Sequence, residues 1–438
     1  MAGSWPSVTI ESLLKSGAIV AHKDGNYGSL YPRIEDFGSE GVPFLTAKSL
    51  SEGRFDIDGA PRLANQKADK LHYGFVKPGD VLLSHNATIG RVGIVPDFDG
   101  RMLVGTSLTY FRLDESKLLP RYLAAFFAGI DFQNQLKSVM SHTTRNQIPI
   151  TTQRRLHIVV PPLEAQRHIA LVAGTFDAKI ALIKRMNSTL EAMARALFQS
   201  WFVDFDPVRA KIDGQLPKRL DKETAALFPA TFQDASIGQI PQGWAVGSIL
   251  RQADLLSGGT LKTDVVKYWN GDIPWASAKD VSQCADAFLV STERTITEHG
   301  LKESSTRAIP EFATVVVARG ATTGRLTMFA RSMAMNQTCY GLHSKFGAPF
   351  ALYCNARHFI DRLVQGGHGS IFDTITTSTF EATEVLLPPK ELLQAFDERV
   401  FPMFEKIRAN LMESLTLAAL RDALLPKLLS GNITISST

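Results

Sequence analysis

Two small sets of residues in this chain are of types that could do chemistry. Pro96-Asp97 followed by Glu115-Ser116-Lys117 has the order of a magnesium-nuclease set, in which carboxylates would hold a metal ion and Lys117 would steady the scissile phosphate. The same residues also read as an ordinary turn (PDFDG) and a polar loop after a strand, and a motif this loose often arises by chance. The second set occurs twice. "HNATIGRVGIV", His85 to Val95, returns as "RGATTGRLTMF", Arg319 to Phe329, each placing Ala-Thr, one variable residue and Gly-Arg between apolar runs. Phosphate contacts need hydroxyls, cations and backbone amides near glycine turns. Thr88 and Arg91, and then Thr322 and Arg325, supply them twice, with Asn86 and Arg319 in the same turns. A repeated lysine, Lys48 and Lys279, adds a cation to each copy. A tight turn whose arginine only braces its own module is the competing reading.

Other chemistries lack their sequence signatures. The chain has no Asn/Asp/Ser-Pro-Pro-aromatic sequence to position an exocyclic amine. It has no Gly-rich loop after a strand for a nucleotide or S-adenosylmethionine, and no G-x-x-x-x-G-K-S/T phosphate cradle. Its 10 histidines are scattered without metal-ligand spacing. His142 stands apart, in "SHTTRNQ" with Arg145, because such a polar loop can reach base edges or phosphates. Cys284, Cys339 and Cys354 are an odd count without metal-type spacing, which suits a reducing cytosol. No apolar run reaches the length of a membrane span, and the start (MAGSWPSVTI) lacks a basic region followed by an apolar one. A cytoplasmic protein without a membrane partner is therefore expected. The net charge of +4 is compatible with nucleic acid without demanding it.

The elements that must position these residues are duplicated as well. A chain of 438 residues, 45% hydrophobic, is long enough for two or three packed domains. "SWPSVTI" is echoed by "GWAVGSI", "VPFLTAK" by "IPWASAK", and "QIPITTQRRLHIVVPP" by "TITTSTFEATEVLLPP", all in the same order. That is the mark of a whole duplicated module. Within each copy, short β-rich runs ("DVLLSH", "RVGIVP", "LTYFRL"; "TVVVAR", "RLTMF") alternate with polar turns and short helical stretches. Past Pro161-Pro162 the pattern changes. Ile169, Phe176, Ile183, Leu190 and Leu197 recur every seventh residue, with Val172, Met186 and Met193 three positions later, predicting a long coiled-coil-like helix. Past Pro388-Pro389, Val400, Phe404, Ile407, Leu411, Leu415 and Ala418 predict a second, and the two are expected to pack antiparallel.

The first helix ends in "SWFVDFDPVRAK" and the second in "LRDALLPKLLSG". With two modules each followed by a long helix, these phrases make the chain resemble the DNA-specificity subunit of type I restriction–modification enzymes. The resemblance implies an α+β chain: two mixed α/β target-recognition domains separated by two long antiparallel coiled-coil-like helices in a pseudo-two-fold relation. The expected boundaries are a first recognition domain over 1–160, a helix over 161–206, a connector over 207–240, a second recognition domain over 241–387, a second helix over 388–430 and a tail over 431–438. It also implies a non-catalytic subunit reading a bipartite site on double-stranded DNA, held with methyltransferase and motor-nuclease subunits. S-adenosylmethionine, ATP and magnesium would then be carried by those partners. Asn336, in the Asn336-Gln337 pair that the family often shows, becomes a DNA candidate, whereas the first module has Gly105-Thr106 there. Phe198, Trp201, Phe202, Phe205, Leu424 and Leu428 at the helix ends are the expected partner-docking residues. Because they differ between modules, the loops over 23–36, 141–147, 258–267 and 366–372 should choose the bases. A magnesium-dependent nuclease and a coiled-coil adaptor that ignores DNA are the rival classes.

Overall fold

The computed structural model describes residues 5–51, 54–140, 146–217, 220–366 and 374–430. It divides into two compact units, Met1–Ile180 with Thr416–Thr438, and Ala181–Leu415. The division falls inside both long helices, so each unit holds one module and a segment of each helix.

In the first unit the main sheet is antiparallel. Its strands lie in the order Ile19–Asp24, Leu108–Leu113, Val81–Ser84, Val92–Ile94. Val81–Ser84 is buried along its whole length, which is why it reads as a continuous apolar run rather than an alternating one. The helices Pro120–Ala128 and Ile130–Met140 cover this sheet through Tyr122, Phe127 and Phe132, which share a core with Phe111. A smaller sheet orders Leu103–Val104, Val42–Leu45, Arg62–Leu63 and Phe37–Gly38. The strand Ser7–Thr9 pairs with His157–Val159, tying the start of the module to its last strand before the helix.

The second unit repeats this plan. Ala253–Ser257, Cys339–Ser344, Thr314–Val317 and Leu326–Phe329 form the equivalent sheet, with Phe288–Leu289 added in parallel at its edge. Arg294–Ile296, Trp269–Ala276, Met333–Met335 and Ala308–Ile309 form the smaller one, and Ala245–Ser248 pairs with Glu384–Leu387. The correspondence reaches single residues. Phe37 and Val42 both face Leu63, as Trp269 and Ile273 both face Ile296.

The long helices are Leu163–Phe202 and Lys390–Leu429, 40 residues each. Each begins directly after its Pro-Pro pair, where proline's missing N–H costs nothing. Within the second unit, Asn187 meets Asn410 at 2.7 Å, while Phe198, Trp201 and Phe202 pack around Phe396. Moving up one helix moves down the other, so these segments run antiparallel. In the first unit Asp177 pairs with Arg421 at 2.5 Å, and Ile169 and Ala173 share a core with Leu425, Leu428 and Leu429.

The buried seam corrects one expectation. Ile169 and Ile183 are buried, with Leu190 and Leu197 packed beside them, but Met186 and Met193 are exposed. The second buried line runs four residues after the first rather than three, through Ala173, Asn187, Ala194 and Trp201. Small alanines let the backbones approach and the asparagine finds a partner across the helix pair. A search for large apolar side chains passes over both.

Candidate nucleic-acid interface

In each module three turns and one long loop are drawn together at one end of the main sheet. In the first, His85 N donates to Ser107 O at 3.0 Å and Ile148 N donates to His85 O at 2.9 Å. Asn86 is bridged to Gln147. Gly105 N donates to Leu45 O, and Ala47 N to Ser107 Oγ. The loop after Asp24 begins at Gly25, where a Cβ would lie 2.1 Å from Val104 O, so only glycine allows this backbone-on-backbone approach. The second module uses the same bonds. Ala318 N donates to Thr338 O, Ile375 N to Ala318 O and Asn336 N to Ala276 O. Arg319 is bridged to Thr374, and Gly258 lies against Asn336 O as Gly25 lies against Val104 O.

These bonds also correct the alignment of the repeated turn. Gly90 N closes on Ser84 O in the first copy, and Gly324 N closes on Val317 O in the second, one residue further along. The left-handed position is Ala87 (φ 62°) in the first copy and Gly320 (φ 97°) in the second. The shared Ala-Thr letters therefore hide a one-residue insertion.

The repeated arginines do different work. Arg91 Nη1 donates to Ala47 O at 2.9 Å and to Leu50 O at 3.0 Å, bracing its own module. Arg325 is exposed and has no side-chain partner among the described residues. The cause lies in the segment beneath. Ala47 sits in a turn whose carbonyl is open to the arginine, whereas the equivalent segment, Ala278–Gln283, is a short helix whose early carbonyls accept from within, as Asp280 O does from Cys284 N. Lys48 is exposed without a partner among the described residues; Lys279 is exposed but paired with Glu293 at 2.6 Å, which raises its ammonium pKa. Thr88, Arg319 and Thr322 are exposed. Asn336 spends Oδ1 on Thr338 N and on Thr338 Oγ1 (2.7 Å), so it shapes its own turn. His142 and Arg145 lie outside the described residues.

Sequence reasoning missed the support beneath the first cluster. His22 stacks on Phe111 and its Nε2 lies 3.2 Å from Gln153 Oε1, while Gln153 Nε2 donates to Thr109 Oγ1 and Ile148 O. Burial pushes the His22 pKa down to about 4. It lowers that of His85 too, against the pull of Asp24, so the root of the cluster is held neutral. The signal available in the sequence was only one histidine within a strand, His22, and another, His85, just past the end of one.

The helix-end aromatics belong mainly to the core. Phe198, Trp201 and Phe202 are buried against Phe396, Phe228 and Trp244, and Leu428 is buried too, with Leu424 half-buried. Half-buried Phe205, with φ 58°, joins Phe198, Phe202, Ile237 and Phe359 in lining a cleft. In the nuclease-like set the lysine is already engaged. Lys117 Nζ is engaged by Asp114 (3.3 Å) and Ser16 O (3.1 Å), and the described residues hold no group of three or more His, Cys, Asp or Glu that could bind a metal.

Two copies of one loop cluster, carried on the same pair of sheets and followed by paired helices, define a duplicated recognition protein. The family model for the type I restriction modification DNA specificity domain matches residues 29–192 and 241–410, and the chain belongs to this family of DNA sequence-recognition subunits. It is 26% identical over 429 residues to the type I restriction enzyme HindI specificity subunit of Haemophilus influenzae, covering 86% of this chain and 89% of that one. It is also 26% identical to the MjaIX specificity subunit of Methanocaldococcus jannaschii, covering 92% and 89%. The fold is similar to that of the type I restriction–modification S subunit from M. genitalium, with a TM-score of 0.53, 14% identity, and 97% and 96% of the chains covered. Neither rival class, nuclease or adaptor, finds support in these comparisons. No helix among the described residues is long and apolar enough to cross a membrane.

Proposed function

We propose that each module reads one half of a bipartite, asymmetric site on double-stranded DNA, and that the long helices set the unread spacer. The observation that carries this is the pair of equivalent loop clusters whose supporting bonds are shared and whose exposed side chains differ. Shared turns, with Lys48, Thr88, Lys279, Arg319, Thr322 and Arg325, meet phosphates, and the divergent loops meet base edges. Methyltransferase subunits dock on the chain, using the cleft at Phe205 and the exposed face of the first helix at Leu182, Met186 and Met193. Motor-nuclease subunits join through them. S-adenosylmethionine, ATP and magnesium belong to those partners, and the complex works in the cytoplasm. Exchanging the loops over 23–36 and 141–147 for those of another specificity subunit tests this. Methylation mapping of the reassembled complex should show one half-site changed and the other intact; both halves changing together would refute independent reading.

A further inference from the structure

Among the described residues the two most exposed large apolar side chains are Ile34, 92% exposed, and Val266, 80% exposed. They lie at one and the same place in the duplicated fold. Each is the first residue of a three-residue 3-10 turn, Ile34–Asp36 or Val266–Tyr268, and each turn leads directly into the equivalent strand residue, Phe37 or Trp269. Isolated exposed aliphatics are normal on protein surfaces. Two at equivalent positions, in loops that otherwise share no sequence, are not scatter.

The turns are held from below by the same backbone bond. Ala64 N donates to Asp36 O, and Thr297 N donates to Tyr268 O. Lys67 pairs with Asp36 at 3.0 Å in the first module, and Thr297 Oγ1 donates to Lys267 O at 2.9 Å in the second. The tips are thus fixed, and β-branching restricts the side chains to few rotamers. An exposed cation adjoins each aliphatic, Arg33 before Ile34 and Lys267 after Val266. The first loop also touches the neighbouring turn of the cluster, with Tyr31 Oη 3.4 Å from Thr106 Oγ1.

We propose that Ile34 and Val266 are specificity-determining residues, each packing on the 5-methyl group of a thymine in the major groove of its own half-site. The inference rests on the half-site reading above. Among the groups that base edges present in the major groove, the thymine methyl is the apolar one. A rigid, β-branched tip beside a cation suits it: the cation meets a phosphate or a guanine edge and the aliphatic covers the methyl. The proposal requires an A·T pair in each half-site.

Replacing thymine by uracil removes that methyl and leaves the pairing edge unchanged, so it provides the test. With both half-sites mapped by methylation, each thymine is changed in turn to deoxyuridine. Binding is then measured for the complex carrying the wild-type chain, Ile34→Ala or Val266→Ala. One uracil in one half-site should weaken wild-type binding about four-fold, the worth of one buried methyl at ~0.8 kcal/mol. Ile34→Ala should abolish that difference in its half-site only, and Val266→Ala should do so in the other. Melting temperatures should not change, because both side chains are exposed. Normal sequence reading without coupling between either side chain and a methyl overturns this inference alone. So does a half-site lacking A·T pairs, or coupling to base unstacking that is indifferent to the methyl, the behaviour of an inserted wedge. A wild-type complex without sequence preference overturns the half-site reading, and this inference with it.

Discussion

Asp397 offers a test of how the second module is fastened to its helix. The carboxylate is buried, and it accepts a hydrogen bond from Ala351 N at 2.7 Å and another from Phe350 N. These are donors that the first turn of the helix Pro349–Gly366 cannot satisfy internally, so Asp397 caps that helix from the other side of the core. Burial outweighs the two bonds and raises the carboxyl pKa from 3.8 to about 7. An unfolded Asp397 loses its proton near 3.8, whereas the folded one keeps it to about 7. Between those values the folded state binds more protons, so stability falls as pH rises. Asp397→Asn keeps an acceptor for Ala351 N and removes the charge. Its stability relative to wild type should therefore rise by about 3 kcal/mol between pH 5 and pH 8, at ~1.4 kcal/mol per pH unit. That is on the order of 6–12 °C in the melting temperature of a unit this size. Glu311 and His343 line the same cleft, so Glu311→Gln and His343→Gln variants serve as controls in the scanning calorimetry. An Asn variant whose advantage is flat with pH, or shrinks as pH rises, would show that the helix-cap bonds dominate and refute the reasoning.

Three further outcomes are expected. Asn187→Leu or Asn410→Leu singly should cost about 1–3 kcal/mol by leaving one buried amide without its partner, whereas the double variant should cost less than the sum in thermal melts. Arg91→Ala should lower the melting temperature by removing its brace, whereas Arg325→Ala should leave melting unchanged and reduce the salt slope of DNA binding by about 1. Inserting four residues into both long helices, in register, should add about 6 Å and lengthen the spacer by roughly two base pairs without changing the half-sites. An active complex with an unchanged spacer in methylation maps would refute the ruler.

The duplication, the strand runs and the seventh-residue line from Ile169 to Leu197 were legible in the sequence because each is a matter of local period or of repetition along the chain. The tail phrases "SWFVDFDPVRAK" and "LRDALLPKLLSG" carried the family for the same reason. What remained hidden depended on partners far away in sequence. Met193 and Ala194 are neighbours in a helix, yet Ala194 is buried and Met193 is not, because the opposing helix determines which face closes. Arg91 and Arg325 share a motif and differ in role, because the carbonyls that could hold them belong to a turn in one module and to a capped helix in the other. The aromatics after Ala194 looked like a docking surface and are mostly core, since Phe396 and Trp244 come back to cover them. Periodicity is a property of the chain, but burial and hydrogen-bond satisfaction are properties of pairs of segments, and only the folded arrangement brings those pairs together.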